Sequence, residues 1–269
     1  MAFTNNVTLA DYVVQRLIEN KGIYNKCNRA FDSMVKPGAT AILVNKLAIP
    51  VLKTAGTTST HADRKNAHAD TTMVTIPLAA SAVPLATEVI ADYEGGGALP
   101  AEYLESARAV IAQGFDTNVL TEAQTTTDVD TFAGSVLSWA DITGIRKQFI
   151  DNKVPDDKLV LAIDSDLFEQ FMDIDVVKNA TSWKGTYMET GEFPKILGMD
   201  VIVSSLVPKV GGKATLTAFS GYGLSFVLNR MGEIKERYDE VNLKDVVDML
   251  AHSGQKLFAD AFAVVRTAQ

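Results

Sequence analysis

Cysteine is nearly absent from this chain: Cys27 stands alone among 269 residues. An intrachain disulfide is therefore excluded, which fits folding in a reducing cytoplasm. No stretch approaches the roughly 20 consecutive apolar residues that a membrane-spanning helix needs, so a transmembrane helix is excluded and no membrane partner is expected. The opening MAFTNNVTLADYVV has no basic residue before Asp11 and no apolar core of signal-peptide type, so export by the usual route is not expected. Basic charge is also scarce, with 25 Lys and Arg against 33 Asp and Glu and a net charge of −8. Residues 1–76 hold nine basic and five acidic side chains, a balance of +4, which leaves sixteen against twenty-eight, or −12, for residues 77–269. A sequence-reading DNA protein would need a strongly basic face, and an acidic body with a mildly basic N-terminal quarter does not look like one. The usual catalytic signatures are missing too. There is no Walker-type GK[ST] and no G-x-S-x-G elbow, and Cys27 has no companion that would make it a nucleophile. Gly95-Gly96-Gly97 and Gly221-x-Gly223 lack the strand–glycine–helix setting of a dinucleotide site.

What is present is a change of period along the chain. Thr8 and Asp11 open a short N-terminal helix with Leu9, Val13 and Leu17 on one face, and Gly22 ends it. Asn25, Asn28 and Asp32 break any longer periodicity, so this segment reads as more arm than core. After the Lys36-Pro37-Gly38 turn, Thr40, Ile42 and Val44 alternate as in a strand. Residues 54–70 then contain no Leu, Ile, Val or aromatic side chain, before alternation resumes at Thr72, Val74 and Ile76. Two strands around a polar tip make a long hairpin. Fifteen strand residues at about 3.3 Å each extend roughly 50 Å, whereas a compact domain of this length has a radius of gyration of about 18 Å. A straight hairpin therefore projects beyond its own body. An isolated two-stranded ribbon is marginal in water, so a neighbouring copy of the same chain is the economical support.

Beyond the Gly95–Gly97 hinge, Pro100 begins the longest helix, residues 100–123, with a stripe of Leu99, Tyr103, Ala107, Val110, Ile111, Phe115, Asn118 and Val119. A polar linker follows. Ser138 and Asp141 then cap a helix with Ile142, Ile145 and Phe149 on one face. Lys158–Ile163 reads as a buried strand leading into a helix with Leu167, Phe168 and Phe171. Further strands are expected at 198–204, 214–219 and 224–228, with Ile234, Glu236 and Tyr238 continuing the alternation. Lys256–Val265 reads as one final strand.

Two constellations carry potential chemistry. Asp164 and Asp166 end a hydrophobic strand, where paired carboxylates hold Mg²⁺ against a phosphate in some hydrolases. An acidic or hydroxyl residue at that place is also what a helix cap requires, and Phe168 replaces the small residue of the phosphatase pattern. His61 and His68 sit in a repeated His-Ala-Asp, a plausible donor set for zinc, but in a polar tip with nothing to orient the ligands. His252 is alone. No catalytic residue, metal or cofactor is assigned.

The order of elements resembles the major capsid proteins of tailed bacteriophages with the Hong Kong 97-type fold. The Gly38-Ala39-Thr40-Ala41-Ile42 turn resembles the opening of that family's extended loop. Lys158–Phe168 (KLVLAIDSDLF) and Phe193–Ser204 (FPKILGMDVIVS) resemble its axial domain. The resemblance implies an α+β chain with an N-terminal arm at 1–36 and an extended loop at 37–79. A peripheral domain would comprise 80–129 and 221–269 with a spine helix at 98–124, and an axial domain 130–220. It implies self-assembly into hexamers and pentamers of an icosahedral shell around double-stranded DNA, made in the bacterial host cytoplasm and ending in the virion. With no long scaffolding segment in the sequence, it further implies a separate scaffolding protein, and a portal. Lys46, Lys53, Arg64 and Lys65 would then face a neighbouring subunit, while Arg16, Lys21, Lys26 and Arg29 would face the interior. The Lys–Asn cross-link positions of some members find no match here. An encapsulin-like nanocompartment shell is the nearest alternative, and an Mg-dependent phosphatase on Asp164 and Asp166 the enzymatic one.

The charge distribution generates a prediction. Double-stranded DNA should bind the purified chain weakly, through Arg16, Lys21, Lys26 and Arg29, and that binding should fall as salt rises. Filter binding across a salt series checks this; nanomolar, sequence-specific binding at physiological salt would contradict it.

Overall fold

The computed structural model describes residues 21–36, 39–46, 72–84, 101–179, 193–239 and 244–269. Its strands are β1 (Ala41–Lys46), β2 (Thr72–Pro77), β3 (Ala79–Pro84), β4 (Val129–Thr131), β5 (Leu159–Asp164), β6 (Met199–Ser204), β7 (Thr215–Ser220), β8 (Leu224–Asp239), β9 (Lys244–Leu257) and β10 (Ala263–Thr267). Its α-helices are α1 (Ala101–Ala123), α2 (Trp139–Asp151), α3 (Phe168–Asp173) and α4 (Asp175–Asn179). Arg16, Lys53, His61, Arg64, Lys65, His68 and Gly95–Gly97 lie outside the described residues, as does the tip of the expected hairpin.

β5 is buried at every position, and its alternation divides the molecule into two cores. Val160 and Ala162 face one cluster, built with Ala107, Ile111, Phe115, Val119 and Leu120 of α1 and with Phe226, Met249 and Ala251 of β8 and β9. Leu159, Leu161 and Ile163 face the other, with Ile142, Ile145 and Phe149 of α2 and Phe171 of α3. A strand covered on both faces needs apolar residues throughout, which is why KLVLAI has no polar alternation. β5 lies fourth in a mixed five-stranded sheet of order β4-β10-β7-β5-β6, parallel to β6 and antiparallel to β7. A second, antiparallel sheet has the order β3-β9-β8, and β1 and β2 form a ladder of their own.

Three sequence readings are corrected. Val110 falls off the buried stripe of α1 and is 40% exposed, because the face that packs runs through Ala112, Asp116 and Leu120 beside Ile111, Phe115 and Val119. Residues 256–265 are not one strand: β9 ends at Leu257, a 3-10 turn occupies Asp260–Phe262, and β10 joins the other sheet. The break arises because Phe262 packs against Gly223, where any Cβ would collide with its ring, and because the Thr126 hydroxyl bonds the carbonyls of Asp260 and Ala263 at 3.1 Å each. Residues 21–36, read as more arm than core, place Ile23 and Cys27 in the α1 cluster with Tyr24 packed against it.

The Ser138–Asp141 cap forms as its spacing requires. Asp141 accepts the Ser138 backbone N–H at 2.9 Å and its hydroxyl at 2.6 Å, and its other oxygen accepts the Ala133 N–H at 2.9 Å. Burial alone would raise the Asp141 carboxyl. The Ser138 hydroxyl and the N–H groups of Ala133 and Ser138, with Arg266 nearby, instead hold it below the ordinary range. A carboxyl depressed in the folded state stabilises above its unfolded value of about 3.9 and loses that contribution as pH falls through the lower native value. Asp141→Asn should therefore cost about 1–2 kcal/mol at pH 7. The gap to the parent chain should narrow in urea unfolding at pH 3; a gap independent of pH would contradict this account of the cap.

Candidate functional site

The hairpin base is where the molecule turns one face inward and one face outward. β1 and β2 pair antiparallel with Ala41 opposite Pro77 and Lys46 opposite Thr72. Ile42 and Ile76 face each other and are buried against Val227 of β8, with Phe31, Val35, Val44, Leu78 and Phe258 around them. The base is closed by the Leu78 N–H, which donates to the Thr40 carbonyl at 2.9 Å. It meets β9 at Gly254, where a Cβ would collide with the Pro77 carbonyl. On the opposite face, Leu43 is 62% and Met73 71% exposed. They sit on diagonal register positions, close enough to form one apolar patch. Covering these two side chains on another molecule would contribute about 1.5–3 kcal/mol each.

Beneath the hairpin runs the N-terminal segment, and its hold on the body is polar at one end and apolar at the other. Asp116, fully buried on α1, accepts the backbone N–H groups of Lys21 at 3.1 Å, Gly22 at 3.0 Å and Tyr24 at 3.0 Å. Burial pushes its carboxyl above the ordinary range against the pull of these N–H groups and that of Ile23. Tyr24, Phe115 and Phe226 form a mutual aromatic cluster with centroids 5.3–5.6 Å apart. Asn28 then pairs with the edge of β8: its N–H donates to Leu224 at 2.9 Å, and its carbonyl accepts from Phe226 at 3.0 Å. Four residues on, Asp32 accepts the Leu228 N–H at 3.0 Å.

The expected site residues divide accordingly. Lys46 closes β1, and Lys21 enters the site through its backbone. Lys26 is ion-paired to Asp200 at 2.9 Å, and Lys195 holds the same carboxylate from the other side at 2.9 Å. Arg29 pairs with Asp32 at 2.7 Å and lies over the Phe226 ring at 5.6 Å. Two of the four basic residues expected to face the interior are thus engaged within the chain. Asp116 escaped sequence reading, since in Phe115-Asp116-Thr117-Asn118-Val119 it stands among other polar residues and only the helical phase next to Phe115 places it on the buried face.

The enzymatic constellation assembles as local structure. Asp164 is buried and caps the turn after β5, accepting the Asp166 N–H at 3.2 Å, while Asp166 is ion-paired at the surface with Lys209. Among the described residues no group of three or more His, Cys, Asp or Glu is placed to hold a metal. His252 Nδ1 lies 3.1 Å from Asn229 Nδ2. Cys27 is buried, and desolvation, with Asp116 nearby, drives its thiol far above the ordinary range, which leaves it inert. No helix among the described residues is long and apolar enough to cross a membrane.

No family model matches the chain, and no curated protein matches it. Solved structures do. The capsid structure of cyanophage P-SCSP1u aligns over 100% of this chain and 92% of its own, with TM-score 0.62 at 12% identity. The capsid of Myoviridae phage XM1 aligns over 100% and 99%, with TM-score 0.59 at 13% identity. The SrpI encapsulin complex of Synechococcus elongatus aligns over 86% and 82%, with TM-score 0.52 at 12% identity. With β5 between two cores, a 23-residue helix across one of them and a hairpin springing from its rim, the chain has the α+β, Hong Kong 97-type fold of phage major capsid proteins.

Proposed function

We propose that this chain is the major capsid protein of a tailed phage, assembling into hexamers and pentamers of an icosahedral shell that encloses double-stranded DNA. The observation that carries this reading is the hairpin base, which buries Ile42 and Ile76 on its own body and leaves Leu43 and Met73 exposed on a fold shared with capsid subunits. Identical subunits that each extend such an arm can tile a closed surface, every contact repeated by symmetry. The work is done by binding energy spread over many interfaces, with no chemical step. In this reading Lys46, Lys53, Arg64 and Lys65 lie along the arm against the neighbour. The domain reading is then an N-terminal arm at 1–36 whose part from 21 onward packs on the body, an extended loop at 37–79, a peripheral domain of 80–129 and 221–269 from which β10 crosses to the five-stranded sheet, and an axial domain of 130–220.

The acidic body suits an inner surface that does not grip packaged DNA tightly, since few phosphates are neutralised. Contact with DNA then falls to the N-terminal quarter. A separate scaffolding protein and a portal are the further partners, the host cytoplasm is the place of synthesis, and the virion is the destination. An encapsulin-like compartment is the second reading, supported by the similarity to the SrpI encapsulin at TM-score 0.52. The phage capsids favour the first, at 0.59 and 0.62. A phosphatase is disfavoured by the geometry of Asp164 and Asp166, since one carboxylate caps the turn and the other is neutralised by Lys209.

Replacing residues 54–70 by a short Gly-Ser turn tests the reading. Those residues contain nothing able to anchor a core, so circular dichroism should stay near that of the parent chain while sedimentation shifts from particles to small species. Particles of normal size and stability after the replacement would show that the tip is passive.

A further inference from the structure

The segment from Lys21 to Lys36 touches both the long helix and the hairpin, and it does so with different chemistry at each end. At its start, three backbone N–H groups are bound to the one buried carboxylate of Asp116 on α1. Its middle is stitched to β8 by the Asn28 bridge and by Asp32. At its far end, Phe31 and Val35 pack beneath Ile42 and Ile76, and Phe31 meets Phe258 edge-on with centroids 5.8 Å apart. The described contacts under the hairpin base come from two sources: Val227 and Gly254 of the β8–β9 sheet with Phe258 just after β9, and Phe31 and Val35, which belong to this segment. Gly254 offers a backbone contact with no side chain to resist tilting. Resistance to tilting is shared by Val227 and Phe258, by β3, which continues the chain after Leu78 and pairs with β9, and by the apolar wedge of Phe31 and Val35.

We propose that residues 21–36 are a strap that sets the direction of the hairpin arm relative to the long helix, with Asp116 as its anchor and Phe31 as the positioning residue under the arm. The strap is tied at Tyr24, Asn28 and Asp32, so few residues between the anchor at Asp116 and the wedge at Phe31 are without a hold. Loss of the anchor would release the N–H groups of Lys21, Gly22 and Tyr24 and loosen the start of the strap without removing any contact inside the five-stranded sheet. Loss of Phe31 would leave the anchor intact and remove only the support under the arm. The consequence for assembly rests on the capsid reading above: an arm of undefined direction meets its neighbours at mixed angles and closes shells of mixed size.

The test is made on unassembled full-length chain, so that it does not depend on shell formation. Paired spin labels at Met73→Cys and Ile150→Cys, in a Cys27→Ala background, report the arm against the body by double electron–electron resonance. Labels at Val110→Cys and Ile150→Cys report the body against itself. Asp116→Ala should at least double the width of the arm distance distribution and leave the body distribution unchanged. Phe31→Ala should broaden or shift the arm distribution alone, and Phe31→Leu, which refills the wedge, should restore the narrow one. A merely structural role for Asp116 would broaden both pairs together and overturn the proposal. An unchanged arm distribution in folded Phe31→Ala would overturn it equally, and that variant decides the matter if Asp116→Ala does not fold. Electron microscopy of the same variants separates the two readings. Uniform shells from the parent chain and mixed diameters from Phe31→Ala support both. Absence of any particles or rings from the parent both with and without a scaffolding partner, with the spin-label result intact, removes the capsid reading and leaves the strap.

Discussion

A carboxylate removed from water must be given donors, and the donors chosen for Asp116 decide where the N-terminal segment lies. Hydrogen bonds to a buried charged group are worth about 1.5–3 kcal/mol each, and the group is more costly still when left without partners. Lys21, Gly22 and Tyr24 supply backbone N–H groups, which no side-chain substitution removes. With those residues fixed on α1, Ile23 and Cys27 have no alternative to the core, and the chain leaves along β8 toward the hairpin. The long helix, the segment and the arm thus form one mechanical line, built on an interaction between residues 92 to 95 apart in sequence.

The second constraint is that one sheet serves two cores. β5 sends Val160 and Ala162 to α1 and sends Leu159, Leu161 and Ile163 to α2. Movement of one layer is therefore felt by the other through a strand with no slack. Ion pairs close the seams where layers meet: Lys26 and Lys195 hold Asp200 at the start of β6, and Lys256 with the Leu257 N–H holds Glu122 at the end of α1. Asp200 is held below the ordinary carboxyl range, burial alone tending to raise it and the two lysines outweighing that.

What could be read from the sequence was local. α1, the Ser138–Asp141 cap and the β5, β6 and β7 runs were legible because period and capping residues lie within a few positions of each other. The hairpin was legible at Ile42, Val44, Val74 and Ile76, whose alternation survives as the inward face of the ladder. The direction of that face was not, since nothing local says that Phe31 and Val227 lie beneath it. The segment at 21–36 was misread because Ile23, Tyr24 and Cys27 follow no period: a 3-10 turn places them, and their partners lie on α1 and β8. The break between β9 and β10 was hidden in the same way, since continuous alternation masks the corner that Thr126 and Gly223 impose from elsewhere in the chain. Of the candidate site, the alternation of the hairpin base was legible, and Asp116 was not.

The central claim is that the chain completes itself by joining copies of its own kind. Electron microscopy of the purified full-length chain, across a wide range of concentration and with and without a scaffolding partner, tests it most directly. Closed particles or capsomer-like rings are the predicted result, and a compact monomer under every condition would contradict it.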